Sequence, residues 1–160
     1  MRRIGNVGDP EKGEPQSQED PRKPLLLCVE DDPPNQLVAR CKLARKYEIL
    51  MASNASEACH LLVSRGQQIS VILMDIELKE SELNGIQLAK LIRGKLERSA
   101  LPRYAQDVPV LDTPIVFVTA YGTKYDVGEM LDCGAKVVDK PVDFIELELC
   151  LTKLKLRKHR

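Results

Sequence analysis

Val71-Ile72-Leu73-Met74-Asp75 is the stretch on which the fold turns. Four consecutive apolar residues read as a strand buried on both faces, and the run stops on a carboxylate. In open parallel sheets ligands bind just beyond the carboxyl ends of the strands, so Asp75 stands where a ligand would be met. Taken alone, it could equally do no more than cap a turn. Three other runs end in the same manner. Leu25-Leu26-Leu27-Cys28-Val29 ends on Glu30-Asp31-Asp32, Ile115-Val116-Phe117-Val118 on Thr119, and Val137-Val138-Asp139 on Lys140-Pro141. Acids, a nucleophilic carboxylate, a hydroxyl and an ammonium each follow an apolar run.

Working outward, helical patterns fill the gaps between these runs. After the first strand, Pro33-Pro34 opens a helix from Asn35 to about Lys46, with Leu37, Val38, Cys41 and Leu43-Ala44 expected on its inner face. Tyr47 to Ala52 reads as a second strand. Asn54 with Glu57 three residues on is a capping box for a second helix, which Gly66 ends. The third strand, Ile69 to Asp75, is followed by an acidic loop, Glu77 to Leu83, expected to be mobile. Asn84 and Gln87 cap a third helix with Ile86, Ala89, Ile92 and Leu96 at helical spacing. Residues 97–112 form a connection longer than α/β units usually need, so they read as an insertion. The fourth strand is Ile115 to Val118, and a short helix from about Lys124 to Cys133 ends at Gly134. Val137-Val138 is the fifth strand. Asp143 and Glu146 then cap a helix to about Arg157, with Phe144, Leu147, Leu151 and Leu154 along one face.

Strands alternate with helices five times, which predicts a three-layer αβα domain around a five-stranded parallel sheet. The expected organisation is a disordered tail or linker over 1–23, the domain over 24–157 and a basic end at 158–160. Residues Met1 to Lys23 are too rich in Gly, Pro, Gln and charge to offset their ordering entropy.

The composition narrows the function classes. The chain has 160 residues, 43% hydrophobic and 30% charged, with formal net charge zero, which suits one soluble domain. A neutral chain gains no bulk attraction to nucleic acid or anionic lipid, so neither partner is expected. No run approaches the ~20 apolar residues of a membrane span. Cys28, Cys41, Cys59, Cys133 and Cys150 are odd in number and lack metal-finger or CxxC spacing. Reduced thiols, and with them a cytoplasmic location, are the expectation. His60 and His159 have no ligand cluster around them in sequence and read as surface residues.

Chemistry follows if the strands are parallel neighbours. Glu30, Asp31 and Asp75 then converge, and like charges so close need neutralising. A hard divalent cation such as Mg²⁺, with Mn²⁺ as a substitute, binds oxygen ligands of this kind. Lys140 adds an ammonium and Thr119 a hydroxyl. Such a set suits a transferring phosphoryl group, with Asp75 as an in-line nucleophile forming an acyl phosphate.

These residues carry a resemblance. Val-Glu-Asp-Asp-Pro-Pro-Asn-Gln (29–36), Ile-Leu-Met-Asp (72–75), Asn-Gly-Ile-Gln-Leu-Ala (84–89), Thr-Pro-Ile-Val-Phe-Val-Thr-Ala (113–120) and Asp-Lys-Pro-Val-Asp (139–143) each sit at an element boundary. Together, in this order from about Pro24 to Leu156, they are similar to the receiver domain of two-component response regulators, more narrowly to receivers of hybrid histidine kinases. The resemblance implies a flavodoxin-like (CheY-like) strand order 2-1-3-4-5. It implies that Glu30 and Asp31 hold Mg²⁺, that Asp75 is the phosphoacceptor and a metal ligand, and that the Glu77 backbone carbonyl completes the site. Thr119, the Ala120 amide and Lys140 would bind the phosphoryl group, and Pro141 would follow a cis bond. A histidine kinase or histidine phosphotransfer protein is the implied donor. The face of helix four, strand five and helix five is the implied output surface, with a homodimer through it one outcome.

The chain departs from the family pattern in three places. Leu78-Lys79 replaces a frequent Met-Pro, and the loop to Asn84-Gly85 is about two residues longer. The connection from Gly134 to Lys140 is about one residue short. The aromatic expected three residues before the lysine is Val137, and Tyr121, two beyond Thr119, could compensate for it or remain a half-exposed loop residue. Three functions therefore compete: a phosphorylated regulatory receiver that is not a turnover enzyme, a non-switching interaction module, and a phosphohydrolase with Asp75 as nucleophile. The last is disfavoured because Glu77 is one carbon longer than the usual proton-donating aspartate and no substrate-selecting cap is evident.

Overall fold

A computed structural model describes residues 23–120, 124–134 and 136–158. The expected tail, apart from Lys23, and Tyr121 lie outside the described residues. Five strands form one parallel sheet: β1 (Leu25–Val29), β2 (Glu48–Ala52), β3 (Ile69–Asp75), β4 (Ile115–Thr119) and β5 (Lys136–Asp139), in the order β2-β1-β3-β4-β5. The helices are α1 (Pro33–Leu43), α2 (Ala55–Arg65), α3 (Gly85–Ile92), α4 (Val127–Cys133) and α5 (Phe144–Lys158). This is the predicted three-layer, flavodoxin-like fold.

The strand pleat divides the core in two. Leu26 and Cys28 of β1, Val71 and Leu73 of β3 and Val116 of β4 pack with Ala39 and Leu43 of α1 and Leu147 and Leu151 of α5. Leu27, Ile72, Met74 and Phe117 face the other layer, with Leu62, Leu88, Ile92 and Met130 of α2, α3 and α4. With both faces covered, β1, β3 and β4 are buried along their length, apart from a half-buried Ser70, as continuous apolar runs require.

Three local expectations are corrected. The inner face of α1 is Ala39 and Leu43, while Leu37 is 63% and Val38 44% exposed and Cys41 lies outside. Asp32 caps the helix and Pro33-Pro34 occupy its first turn. Gln36, which shares a face with Ala39 and Leu43, donates to the Glu30 carbonyl at 2.6 Å and to Ser53 Oγ at 2.9 Å. That tether sets the helix phase, and a small alanine rather than the larger aliphatics meets the sheet. Secondly, the loop after β3 is tied down. Leu78 and Leu83 are buried, and Ser81 Oγ accepts from the Ala55 amide at 3.0 Å while donating to the Leu83 carbonyl at 2.9 Å. Thirdly, α3 stops at Ile92, short of Leu96, with Gly94 at φ +71°.

The insertion is ordered by burial. Two 3-10 turns, Arg98–Ala100 and Arg103–Ala105, bring Ala105, Val108 and Leu111 into the core layer that holds Cys59, Leu62 and Ile92. The Arg93 guanidinium donates to the carbonyls of Leu111 and Thr113, both at 2.8 Å, and so fixes the return into β4.

Candidate functional site

Strand register brings the predicted residues to one edge. Val29 of β1 pairs with Met74 of β3, so Glu30 follows directly opposite Asp75. Asp75 pairs with Val118 of β4, and Thr119 pairs with Asp139 of β5, which puts Thr119 and Lys140 one step beyond on the neighbouring strands. The backbone closes this edge. The Glu30 amide donates to the Ala52 carbonyl at 2.9 Å, and the Lys140 amide to the Thr119 carbonyl at 2.8 Å. The Lys140–Pro141 peptide is cis.

Carboxylate oxygens of Glu30, Asp31 and Asp75 all lie within 4.8 Å of one another. Glu30 and Asp75 are only 7% and 6% exposed, and Thr119 is buried. Lys140 Nζ donates to Asp75 Oδ2 at 3.0 Å and to Glu30 Oε2 at 3.2 Å. The Asp32 amide donates to Glu30 Oε1 at 3.1 Å, and the Lys79 amide to Asp31 Oδ2 at 2.8 Å. The Glu77 amide donates to Asp75 Oδ1 at 3.3 Å. Gly85 is what lets α3 start against this edge: a Cβ there would meet the Asp75 carbonyl oxygen at 2.2 Å and the Ile76 Cα at 2.9 Å.

The electrostatics leave a charge deficit. Three carboxylates face one ammonium that contacts two of them. Burial pushes the Asp75 carboxyl up to about 6, the neighbouring Glu30 charge adds to this, and the hydrogen bond and charge of Lys140 only partly offset it. Burial lowers Lys140, but its bond to Asp75 and the charges of Asp75 and Glu30 outweigh that and raise it. A hard divalent cation fits these donors: all are carboxylate oxygens, they converge within one ion's reach, and their charge exceeds what Lys140 supplies.

Glu77 behaves differently from its neighbours. Its carboxylate is outside the convergent cluster and accepts from the Tyr125 hydroxyl at 2.7 Å and from Lys124 Nζ at 3.3 Å. The Tyr125 bond, with Lys124 behind it, holds Glu77 below the usual carboxylate range. Burial and that same bond push the Tyr125 phenol up to about 12. Sequence reasoning does not single out Tyr125. Its one signal is a lone aromatic in the polar run Lys124-Tyr125-Asp126 before a helix. Ala120 is exposed directly after β4, and Val137 is half-buried at the edge of the core layer that contains Phe117.

A cavity of 230 Å³ lies on the α1–α5 side of this edge, walled by Cys28, Val38, Ala39, Val142, Phe144 and Leu147. Burial pushes the Cys28 thiol up to about 12, so it stays a neutral wall residue. No helix among the described residues is long and apolar enough to cross a membrane.

An open parallel sheet with an acidic cluster, an ammonium and a hydroxyl at its carboxyl edge defines a flavodoxin-like domain built to meet a phosphate or a cation. Residues 26–152 match the family model for the response regulator receiver domain, and the chain belongs to that family. It is 28% identical over 130 residues to the regulatory protein AtoC of Escherichia coli (strain K12), a match covering 81% of this chain and 24% of that protein. The chain thus spans about a quarter of that relative's length. Solved receiver domains share its fold. The Francisella response regulator 1452 receiver domain has a TM-score of 0.66 at 21% identity, covering 85% of this chain and 99% of that one. The receiver domain of NtrX from Brucella abortus has a TM-score of 0.64 at 19% identity, covering 81% and 97%.

Proposed function

We propose that this receiver accepts a phosphoryl group on Asp75 from a histidine kinase or a histidine phosphotransfer protein. The observation that carries the reading is the convergence of Glu30, Asp31 and Asp75 within 4.8 Å with Lys140 bonded to two of them. In the transfer an Asp75 oxygen bonds to phosphorus as the phosphorus–nitrogen bond to the donor imidazole breaks, and that nitrogen keeps the electron pair. Lys140, Thr119 and the Ala120 amide take the phosphoryl oxygens. Glu30, Asp31, Asp75 and the Glu77 carbonyl would hold Mg²⁺, which when bound would supply charge neutralisation at the carboxylates during transfer. The domain is a phosphoacceptor rather than a turnover enzyme, and its five free thiols suit a reducing, cytoplasmic setting.

The acyl phosphate would then bias α4, β5 and α5 toward a partner-binding arrangement. Exposed apolar side chains on that face, Leu131 at 52%, Ile145 at 76% and Leu149 at 59%, suit a protein partner or a second copy. Incubation with Mg²⁺ and a small-molecule phosphodonor should add one phosphoryl mass to the intact protein and none to Asp75→Asn. Equal behaviour of the two proteins would end this reading.

A second reading, a receiver that binds partners without switching, is favoured by one residue: Val137 offers no ring to rotate between buried and exposed positions. Near-identical amide spectra with and without beryllofluoride would select it.

A further inference from the structure

We propose that Tyr125 is a positioning residue that holds the Glu77 carboxylate out of the metal cluster. The inference rests on the reading that Glu30, Asp31 and Asp75 bind a divalent cation. Glu77 is two residues from Asp75, and its amide donates to Asp75 Oδ1 at 3.3 Å. Its backbone is therefore at the site. Its side chain is not: the convergent oxygens come from Glu30, Asp31 and Asp75 alone among the described residues. The side chain is held by residues just before α4. The Tyr125 hydroxyl donates to Glu77 Oε1 at 2.7 Å, and Lys124 Nζ donates to the same oxygen at 3.3 Å while lying 5.7 Å from the Tyr125 ring centroid.

The two holders are unequal. The Lys124 side chain is 66% exposed, and an exposed ion pair contributes little under solvent screening. Tyr125 is half-buried and packs against the core layer of α2, α3 and α4, so its hydroxyl is fixed in place and its bond to a carboxylate is charge-assisted. Removing that hydroxyl leaves Glu77 on a weak tether. A freed carboxylate beside a cluster that already carries excess negative charge is drawn to a bound cation, because hard divalent ions gain from each added oxygen ligand. The hydroxyl of Tyr125 thus keeps the site at three side-chain carboxylates and leaves residue 77 to present its carbonyl.

The test is Mg²⁺ titration by calorimetry on the full chain, for the wild type, Tyr125→Phe, Glu77→Gln and the double variant. Tyr125→Phe keeps the packed ring and removes only the hydroxyl. It should bind Mg²⁺ roughly three- to tenfold more tightly, the scale of one extra partly screened charge. In the Glu77→Gln background the same change should have no effect, because no carboxylate is there to release. A merely structural tyrosine would weaken binding, or alter it equally in both backgrounds, and either result overturns the proposal. Unchanged affinity in Tyr125→Phe overturns it too while leaving the cation site standing. A wild type that binds no Mg²⁺ removes the cation site and this inference together.

Discussion

Asp75→Asn should stabilise the metal-free domain at neutral pH, although it removes the residue at the centre of the site. Asp75 is 6% exposed, and its carboxyl is pushed from an ordinary 3.8 up to about 6 by burial and by Glu30, against Lys140. The folded state therefore holds a proton more tightly than the unfolded chain. Stability from this group is present at low pH and is lost as pH rises through about 6. Keeping the buried carboxyl ionised at pH 7.5 costs the fold about 3 kcal/mol. The Lys140 bond is already included in that shift, so about 3 kcal/mol is the expected gain, or roughly 9 °C in Tm for a domain of this size. At pH 5 most of the wild-type carboxyl is protonated in the fold, and the gap between the proteins should shrink to about half. Thermal melts in a chelator at the two pH values measure both numbers. If Asp75→Asn melts below the wild type at pH 7.5, or the gap is the same at pH 5, the charge deficit is not what the geometry implies.

Other consequences are independent of that one. Millimolar Mg²⁺ should raise the wild-type Tm by mass action, and Asp31→Asn should need at least about tenfold more Mg²⁺ for the same rise, since even supporting contacts to a metal act on that scale. Gly85→Ala drives a Cβ to 2.2 Å from the Asp75 carbonyl oxygen; a loss of about 3 kcal/mol in urea unfolding is expected, as for an overpacked core, and a loss below about 0.5 kcal/mol would contradict the close approach. Cys41 is exposed while Cys28, Cys59, Cys133 and Cys150 are buried. A native-state alkylation should accordingly stop at one adduct, mapped to Cys41 by peptide mass.

Strand ends are legible in the sequence because three signals coincide there: an apolar run, its stop, and a charged or hydroxylic residue. β1 and β3 have the predicted limits, and Asn84 with Gln87 forms the full reciprocal cap. Other features depend on contacts far along the chain. Apolarity alone misplaces the α1 face by favouring Leu37 and Val38, whereas Gln36 reaching Glu30 and Ser53 decides which side meets the sheet. The charges of the loop after β3 suggest mobility; Ser81, 26 positions from the Ala55 amide it caps, anchors it. Asn54 and Glu57 have the spacing of a reciprocal cap, and Asn54 does accept from the Glu57 amide, but Glu57 accepts from the Ser53 amide. The Glu77–Tyr125 bond spans 48 positions, and no local pattern announces it.

Those long contacts bear on how the site can reach α4. Val137 stands on β5 opposite Phe117, and a valine has too few atoms to swap a buried for an exposed ring position. Among the described residues, coupling between the site and α4 can use a group that touches both ends. Glu77 does, with its amide on Asp75 and its carboxylate on Tyr125. Tyr125 is followed by Asp126, whose carboxylate caps α4 through the Gly128 and Glu129 amides at 2.8 and 3.4 Å. Glu129 in turn pairs with Lys90 of α3. At seven residues α4 is too short to hold itself together by its own hydrogen bonds, so its position depends on this cap and on the packing of Met130 and Cys133. A change of charge at Asp75 alters the field on the Glu77 amide directly, and α4 begins two residues beyond the hydroxyl that holds Glu77.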